Sequence, residues 1–178
     1  HSGCIDVLGY YPIDNPQPVQ APNQAIQQLV REHPQHPYSL VGIDAINDAL
    51  QSFQSLCSSA GYPMQGSLER NWLLPTALGT IRPTCLAPET MLAGDLNPAL
   101  GHQTSPILIV GFEGFPDFYP ELIAANLSLQ GTPAVGINLK LDSLLARRFV
   151  TGRVLAELFE TSDFQKEVIA AINNTLHN

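Results

Sequence analysis

Apolar residues recur at helical spacing in the first third of the chain. One stripe runs from Ala25 to Val30 and predicts a helix that begins near Pro22, a residue suited to a first helical turn, and ends before His33-Pro34. A longer stripe predicts a second helix from about Ile43 to Ala60, stopped by Gly61. The inward side chains of this second helix are expected at Ile43, Ile46, Leu50, Phe53 and Leu56 or Cys57.

Shorter apolar patterns of β type surround these helices. The alternation from Cys4 to Tyr10 predicts an extended segment, followed by a proline-rich loop from Pro12 to Pro22. Between Arg70 and Thr84 the apolar residues are interrupted by proline and glycine, which predicts two short antiparallel strands. The stretch from Cys85 to Gly101 is predicted to be a loop.

The second half of the chain has the pattern of a βαβ unit. A continuous apolar run from Pro106 to Phe112 and a second from Ala134 to Leu141 predict two buried strands. The segment between them predicts a helix from about Pro116 to Leu129. Its inward residues are expected at Phe118, Leu122, Ala125 and Leu129. Two further helices are predicted, from about Ser143 to Glu160 and from about Ser162 to Leu176.

These elements predict an α+β (mixed α/β) fold, in which a small antiparallel β element and the βαβ unit pack with about five helices. The 178 residues, 44% of them hydrophobic, are enough for one sizeable core, so a single domain over residues 1–178 is expected. The chain begins with His1 directly in an apolar alternating stretch, which is typical of a domain cut from a longer protein.

Charge, hydrophobicity and cysteine content argue against several classes of function. The net charge is −8 and no basic stripe is present, which argues against a nucleic-acid partner. The longest strongly apolar run is too short to cross a bilayer, so no direct membrane insertion is expected. Three widely spaced cysteines indicate reduced thiols and a cytoplasmic location. The closest histidines, His33 and His36, are separated by proline, and no metal site is predicted.

Phosphate-binding motifs are missing from this sequence. It contains neither GxGxxG after a strand nor GxxxxGK[ST], so these residues are not expected to hold a dinucleotide cofactor by themselves. Gly111 to Gly114 follow a predicted strand and precede a helix, where backbone N–H groups could bind an anion. A tight turn explains the same glycines without a ligand and is favoured.

Arg82 is the candidate for substrate or anion binding. In a strand, Thr80 and Thr84 would share its face at two residues on either side. A guanidinium between two hydroxyls would suit a phosphate or carboxylate group. The competing interpretation is a strand arginine that faces solvent or forms a salt bridge.

His36 and Tyr38 are weak catalytic candidates. They lie in the proline-containing segment from His33 to Ser39, a rigid loop that leads into a helix. An imidazole and a phenol could serve as proton donors if neighbouring groups adjusted their pKa values. The alternative, in which both side chains only cap and pack the loop, is favoured.

A hydrolase that uses His36 and Asp117 ranks last among the functions considered, because no nucleophile motif accompanies these two residues.

Four short segments resemble landmarks of one enzyme family in the same order. They are Ser2-Gly-Cys-Ile-Asp-Val-Leu8, His36-Pro-Tyr-Ser-Leu-Val-Gly42, Leu78-Gly-Thr-Ile-Arg-Pro-Thr84 and Val110-Gly-Phe-Glu-Gly-Phe-Pro-Asp-Phe118. Together they resemble the B subunit of anaerobic glycerol-3-phosphate dehydrogenase, an FAD-dependent oxidoreductase. The resemblance covers most of the chain and corresponds to the middle, substrate-side region of a two-domain flavoprotein.

The resemblance implies a capping domain inserted into an FAD protein, with residues 1–10 at the edge of the flavin domain. It implies FAD in the full-length protein and a flavin-facing loop at Ser2 and Gly3. The implied reaction is oxidation of glycerol 3-phosphate, a small phosphorylated polyol, to dihydroxyacetone phosphate. Electrons would pass through other dehydrogenase subunits to a quinone, which would place the protein at the inner face of the membrane.

Without the glycine-rich segment, activity of this fragment by itself is not expected. The alternative is a non-catalytic domain that docks the other subunits.

Overall fold

A computed structural model describes residues 3–97 and 106–176. The chain divides into two compact units. Unit 1 comprises His1–Pro75 with Ile81–His102, and unit 2 comprises Thr76–Thr80 with Gln103–Asn178. The prediction of a single domain stays a prediction.

Three α-helices are described in unit 1. They are α1 (Pro22–Glu32), α2 (Pro37–Val41) and α3 (Ile43–Ser59). The predicted bounds of α1 and α3 are confirmed, since Pro22 opens α1 and Gly61, with φ of +76°, follows α3. The predicted loop from His33 to Ser39 is wrong in its second half, because Pro37 begins the short helix α2.

The buried faces of α1 and α3 agree in part with the apolar stripes. Ile26 and Leu29 are buried, as predicted, and Leu50 of α3 joins the same core as Ile26. Phe53 and Leu56 are exposed, which corrects the predicted inner face of α3. Cys57 packs against the core and is the inward one of the predicted pair Leu56 or Cys57.

Six short strands are also described in unit 1. They are β1 (Tyr10–Tyr11), β2 (Gln17–Pro18), β3 (Met64–Gly66), β4 (Trp72–Pro75), β5 (Ile81–Thr84) and β6 (Leu86–Pro88). Each pairs antiparallel with one partner, β1 with β2, β3 with β6 and β4 with β5. The pair β4–β5 confirms the predicted antiparallel element. Strand β6 and a 3₁₀ helix over Glu89–Gly94 correct the predicted loop after Cys85, and β2 lies within the predicted loop from Pro12 to Pro22.

The core of unit 1 lies where the helices meet β3 and β6. Met64 and Leu86 are buried there, and Leu86 comes from the segment that the sequence pattern predicts to be a loop. Ile5 crosses the same region and exchanges backbone hydrogen bonds with Leu86. The segment predicted to be extended from Cys4 to Tyr10 therefore pairs by one bridge at Ile5, and strand β1 begins only at Tyr10.

Unit 2 contains the predicted βαβ arrangement. Strands β7 (Ile107–Phe112) and β8 (Ala134–Leu139) pair in parallel, and α4 (Pro120–Leu129) connects them. The helix begins four residues later than predicted. Its buried residues are Pro120, Ile123, Ala124 and Leu127, whereas Leu122 and Leu129 are exposed, so the predicted inner face of this helix is wrong.

The C-terminal part of unit 2 is helical, but the predicted helix from Ser143 to Glu160 is interrupted. It is replaced by α5 (Asp142–Leu145) and α6 (Gly152–Phe159), and Thr151 caps α6 by accepting a hydrogen bond from the Val154 amide. The predicted last helix is confirmed as α7 (Ser162–Leu176). Its residues Phe164 and Val168 pack with Leu139, Leu141, Leu144, Val150 and Leu155 in the core of unit 2.

The predicted α+β class is confirmed. The described residues form seven α-helices, more than the expected five because α2 was not anticipated and one long helix is split. Within the described residues, no helix is both long and apolar enough to span a bilayer.

Candidate functional site

Arg82, the predicted anion-binding residue, is held by a carboxylate of the same unit. Its Nε and Nη2 donate to Oδ2 of Asp6 over 2.8 and 2.5 Å. The hydroxyl of Thr84 donates to the other carboxylate oxygen, Oδ1, over 2.6 Å. The hydrogen bond to Asp6 raises the pKa of Arg82, so the guanidinium is charged at every accessible pH. The three side chains form one chain of charge-assisted hydrogen bonds.

Backbone pairing brings Asp6 to β5. The carbonyl of Ile5 accepts hydrogen bonds from the amides of Cys85 and Leu86, which fixes the residue before Asp6 against the end of the strand. Thr84 is fully buried, whereas about a third of the Arg82 side chain is exposed. Arg82 therefore presents one edge outward while its other edge is bound.

Thr80 is not part of this group of side chains. It lies in the turn Thr76–Thr80, and its hydroxyl is 2.8 Å from the hydroxyl of Thr76. The turn belongs to unit 2, where Asn126 donates to the carbonyl of Leu78 and Gln130 donates to the carbonyl of Gly79. Of the three predicted anion-binding residues, the structure brings Arg82 and Thr84 together, and Thr80 takes part in the turn instead.

His36 and Tyr38 occupy the first turn of α2. Nδ1 of His36 accepts a hydrogen bond from the Tyr38 amide, so His36 caps the helix. The Tyr38 hydroxyl donates to the carbonyl of Val7 over 2.6 Å, and its ring packs against the core of unit 1. Burial raises the pKa of Tyr38, which disfavours its phenolate. These contacts stabilise the loop, and a catalytic role of either residue stays a prediction.

The predicted flavin-facing loop is described only at Gly3. Ser2 lies outside the described residues. Gly3 has φ of +71°, and a side chain there would approach the hydroxyl of Tyr62 and the ring of Pro88. This backbone conformation favours glycine. Contact of the loop with flavin stays a prediction.

The glycine-containing turn after β7 differs from a phosphate-binding turn. Gly114 has φ of +85°, but α4 begins only at Pro120. Gly111 faces Pro120 and Asn138, which would lie within 3 Å of any added Cβ atom, so it serves close packing. Glu113 forms an ion pair of 3.5 Å with Lys140, and Asp117 adds a second carboxylate to the turn. Carboxylates at this place disfavour an anion.

A buried polar cluster in unit 1 was missed by sequence reasoning. Asp95 is almost fully buried, accepts a hydrogen bond from the Leu73 amide over 2.9 Å, and lies 3.1 Å from Nη1 of Arg70. The Arg70 guanidinium stacks on Trp72, 4.3 Å from the ring centroid. The Asn71 amide donates to the carbonyls of Leu8 and Val19. The sequence signal for this cluster was Arg70 two residues before Trp72. Its carboxylate partner, Asp95, lies 25 positions further along the chain and could not be paired with Arg70 from spacing alone.

No group of three or more His, Cys, Asp or Glu side chains in the described parts of the chain could hold a metal ion. Cys4, Cys57 and Cys85 form no disulfide with one another, and Cys85 is completely buried. Two acid–arginine pairs are described in unit 1, Asp6 with Arg82 and Asp95 with Arg70.

Comparison with known proteins identifies relatives over most of the chain. It is 35% identical over 126 residues to the B subunit of anaerobic glycerol-3-phosphate dehydrogenase from Mannheimia succiniciproducens, which covers 71% of this chain and 28% of the relative. The B subunit of the same enzyme from Yersinia enterocolitica is 35% identical over 144 residues, covering 80% of this chain and 33% of the relative. The B subunit from Pectobacterium carotovorum is 35% identical over 143 residues with the same coverage.

The chain spans about a third of the length of these curated relatives. No solved structure matches it significantly. The profile of the family described as FAD binding domain matches residues 2–173, which is nearly the whole chain. The chain therefore belongs to the FAD binding domain family.

Proposed function

We propose that this chain is the substrate-side region of a flavin-dependent dehydrogenase subunit that oxidises glycerol 3-phosphate to dihydroxyacetone phosphate. The names of the relatives and the family match support this proposal. In this proposal electrons leave through partner subunits to a membrane quinone, and the protein works at the inner face of the membrane. Partner subunits and a phosphorylated polyol are then its binding partners.

FAD is the cofactor that the family implies for the full-length protein. The described residues do not fit its pyrophosphate group. The turn after β7 carries two carboxylates and leads to a helix that begins with Pro120, which has no N–H group to offer an anion. We therefore derive no chemical step through FAD, and assign to this chain only the binding of substrate.

The observation that carries the proposal is the hydrogen-bonded series from Thr84 through Asp6 to Arg82. Asp6 engages Nε and Nη2 of the guanidinium, and Nη1 has no partner among the described residues. An arginine fixed along one edge and partly exposed is pre-organised to bind a phosphate with the other. Asp6 then orients the guanidinium, and Thr84 orients Asp6.

The test compares three variants of the full-length protein assembled with its partner subunits. Arg82→Ala removes the guanidinium, Asp6→Asn keeps it but weakens its orientation, and Arg153→Ala removes an exposed arginine that pairs with Glu157 instead. Loss of a hydrogen bond to a charged group costs about 1.5–3 kcal/mol, so Arg82→Ala should raise KM for glycerol 3-phosphate by roughly tenfold to hundredfold. Asp6→Asn should raise KM less, and Arg153→Ala should leave it unchanged.

Unfolding temperatures measured on the same variants separate binding from structure. If Arg82 only supports the fold, Arg82→Ala and Asp6→Asn will lower the unfolding temperature equally while KM stays at the wild-type value. That result would overturn the substrate-binding role of Arg82.

A docking role is a second candidate, favoured by the apolar surface formed by the helices of unit 1. A cavity of about 420 Å³ opens between α1, α2 and α3 and is lined by Ile26, Val30, Tyr38 and Ile43. Leu40 and Val41 of α2 are also largely exposed. Exposed apolar side chains of this kind are typical of a protein interface. Leu40→Ser with Val41→Ser should release a partner subunit in size-exclusion chromatography if this surface docks one, whereas Leu129→Ser in unit 2 should not.

A further inference from the structure

The parallel sheet of unit 2 has two strands among the described residues, and the outer edge of β7 is unpaired there. The amides of Ile107 and Glu113 donate to carbonyls of the segment that contains β8. In a parallel ladder, alternate residues bond to the same neighbour, so the amides between these positions alternate in direction. Those that point away from β8 belong to Leu108, Val110 and Phe112. None of the three donates to a described group.

Strand β7 lacks the features that usually prevent an edge strand from pairing. Its residues Ile107–Phe112 include no charged side chain and no proline, whereas edge strands of natural proteins commonly carry one or the other. The outer edge of β8 differs, because the Ser128 hydroxyl donates to the carbonyl of Ala134 and accepts from its amide. The two edges of this sheet are therefore not equivalent, and β7 offers the edge that suits another strand.

Helices cover both faces of the β7–β8 pair. Val110 and Phe112 pack against the core of unit 2, where the Phe112 ring lies 6.5 Å from that of Phe164 in α7. Gly111 points to the opposite face, where Pro120 of α4 leaves no room for a side chain. Helices on both faces are typical of parallel sheets with several strands. The layers of a doubly wound α/β fold are thus present around two strands.

The order of these elements indicates where a third strand belongs. Crossovers between parallel strands are nearly always right-handed, so helices on one face carry the chain in one direction across the sheet. Helix α4 carries it from β7 to β8. The helices α5, α6 and α7 follow β8 and pack on the opposite face, so a right-handed return leads back past β8 to the outer edge of β7.

We propose that the outer edge of β7 pairs with a further apolar β-strand, parallel to β7 and supplied by a segment of the full-length protein that follows α7. The spatial order would be β8, β7 and then the new strand, which is the start of a doubly wound sheet. This chain spans about a third of the length of its curated relatives, so the remaining length is ample for such a segment.

A second copy of the chain is the competing occupant. A twofold axis between two β7 edges would make the β7 strands antiparallel, since the same edge would face itself. Sheets that are purely parallel are over-represented among proteins, and helices on both faces are their usual setting. The described arrangement of unit 2 therefore favours the parallel strand from the same protein.

Hydrogen exchange of the full-length subunit, resolved to single residues by mass spectrometry, tests the pairing. The amides of Leu108 and Val110 should exchange within about tenfold of those of Ile109 and Gly111, which point towards β8. The amide of Asn138 points away from β7 and is the control, which should exchange at least about tenfold faster. A slowly exchanging segment of about five or six residues should also follow α7.

Three results of this measurement would overturn the proposal. One is exchange at Leu108 and Val110 as fast as at Asn138, and another is the absence of a slowly exchanging segment after α7. The third is slow exchange that is lost when the protein is diluted until light scattering shows a monomer, because the edge would then belong to a second copy. Slow exchange that persists in the monomer supports the proposal.

A pair of variants of the full-length protein gives a second test. Leu108→Pro removes an amide that does not donate to β8, and Leu108→Ala controls for the loss of the side chain. If a strand pairs at this edge, Leu108→Pro should unfold at a clearly lower temperature than Leu108→Ala, because proline removes a hydrogen bond of the sheet. Equal unfolding temperatures would show an open edge. The proposal does not depend on oxidation of glycerol 3-phosphate, so failure of either leaves the other standing.

Discussion

At the scale of single residues, the thiol of Cys85 shows how burial controls chemistry. Its side chain is fully buried between Thr84 and Leu86. Burial raises its pKa from 9.0 to about 11, and the nearby Asp6 adds to the shift. The folded protein therefore holds the thiol proton at pH values where the unfolded chain releases it. The contribution of this protonated thiol to the free energy of unfolding is fully present below about pH 9, and it is lost as the pH rises towards 11.

We expect the free energy of unfolding to fall between pH 9 and 11 more steeply for wild-type protein than for Cys85→Ala. The reason is that the variant has no thiol to ionise at this position. Urea denaturation at several pH values in this window measures the difference. Cys57→Ala, which removes a half-buried thiol, is the control for the loss of a cysteine side chain. Equal slopes for wild-type protein and Cys85→Ala would contradict the prediction.

The Asp6–Arg82 pair shows what residue patterns can and cannot predict. Alternation along β5 predicts that Arg82 and Thr84 share a strand face, and both side chains bind the carboxylate of Asp6. The partner could not be predicted, since Asp6 is separated from Arg82 by 76 positions. Pairing between distant segments depends on the tertiary fold, and spacing within one element carries no information about it.

At the scale of elements, α4 packs unusually close to β8. A Cβ atom added at Gly136 would lie 2.3 Å from the backbone carbon and oxygen of Pro120. Gly136→Ala should therefore destabilise the protein by about 2 kcal/mol or more, because backbone atoms cannot yield as a flexible side chain would. Thermal unfolding monitored by circular dichroism measures the effect.

Gly152→Ala is the matched control for this substitution. Gly152 is the first residue of α6, has open space around it and has no positive φ. Alanine favours helix, so this variant should be as stable as wild-type protein or slightly more stable. If Gly136→Ala unfolds at the same temperature as Gly152→Ala, the close packing of α4 on β8 is refuted.

Element prediction succeeded where a single periodic signal was long enough. The helices α1, α3 and α7 follow clear apolar stripes, and β7 and β8 follow continuous apolar runs. Strand β6 was missed because it has three residues, one of them proline, and exists only through pairing with β3. The predicted helix from Ser143 to Glu160 failed because Thr151 begins a new helix at Gly152, a local capping effect inside an apolar pattern.

At the scale of the whole molecule, the single core that the composition predicts stays a prediction, and the described buried residues form a cluster within each of the two units. One is built around Ile26 and Leu86 in unit 1, and another around Leu141 and Leu144 in unit 2. Composition reports how much apolar material is present but not how the chain distributes it. The family could be predicted because several short segments resemble it in order, which is information that a single element does not contain.

The two clusters predict local responses to core substitutions. Leu144→Ala should cost about 2–5 kcal/mol, as large-to-small changes in cores do, and Ile26→Ala should cost a similar amount. Leu129→Ala, at an 85% exposed position, is the control and should cost little. Hydrogen exchange followed by mass spectrometry should show faster exchange of α7 in Leu144→Ala and of α1 and α3 in Ile26→Ala, because stability is not uniform across a structure. Uniform acceleration over both units in either variant would show instead that the protein unfolds as one cooperative body.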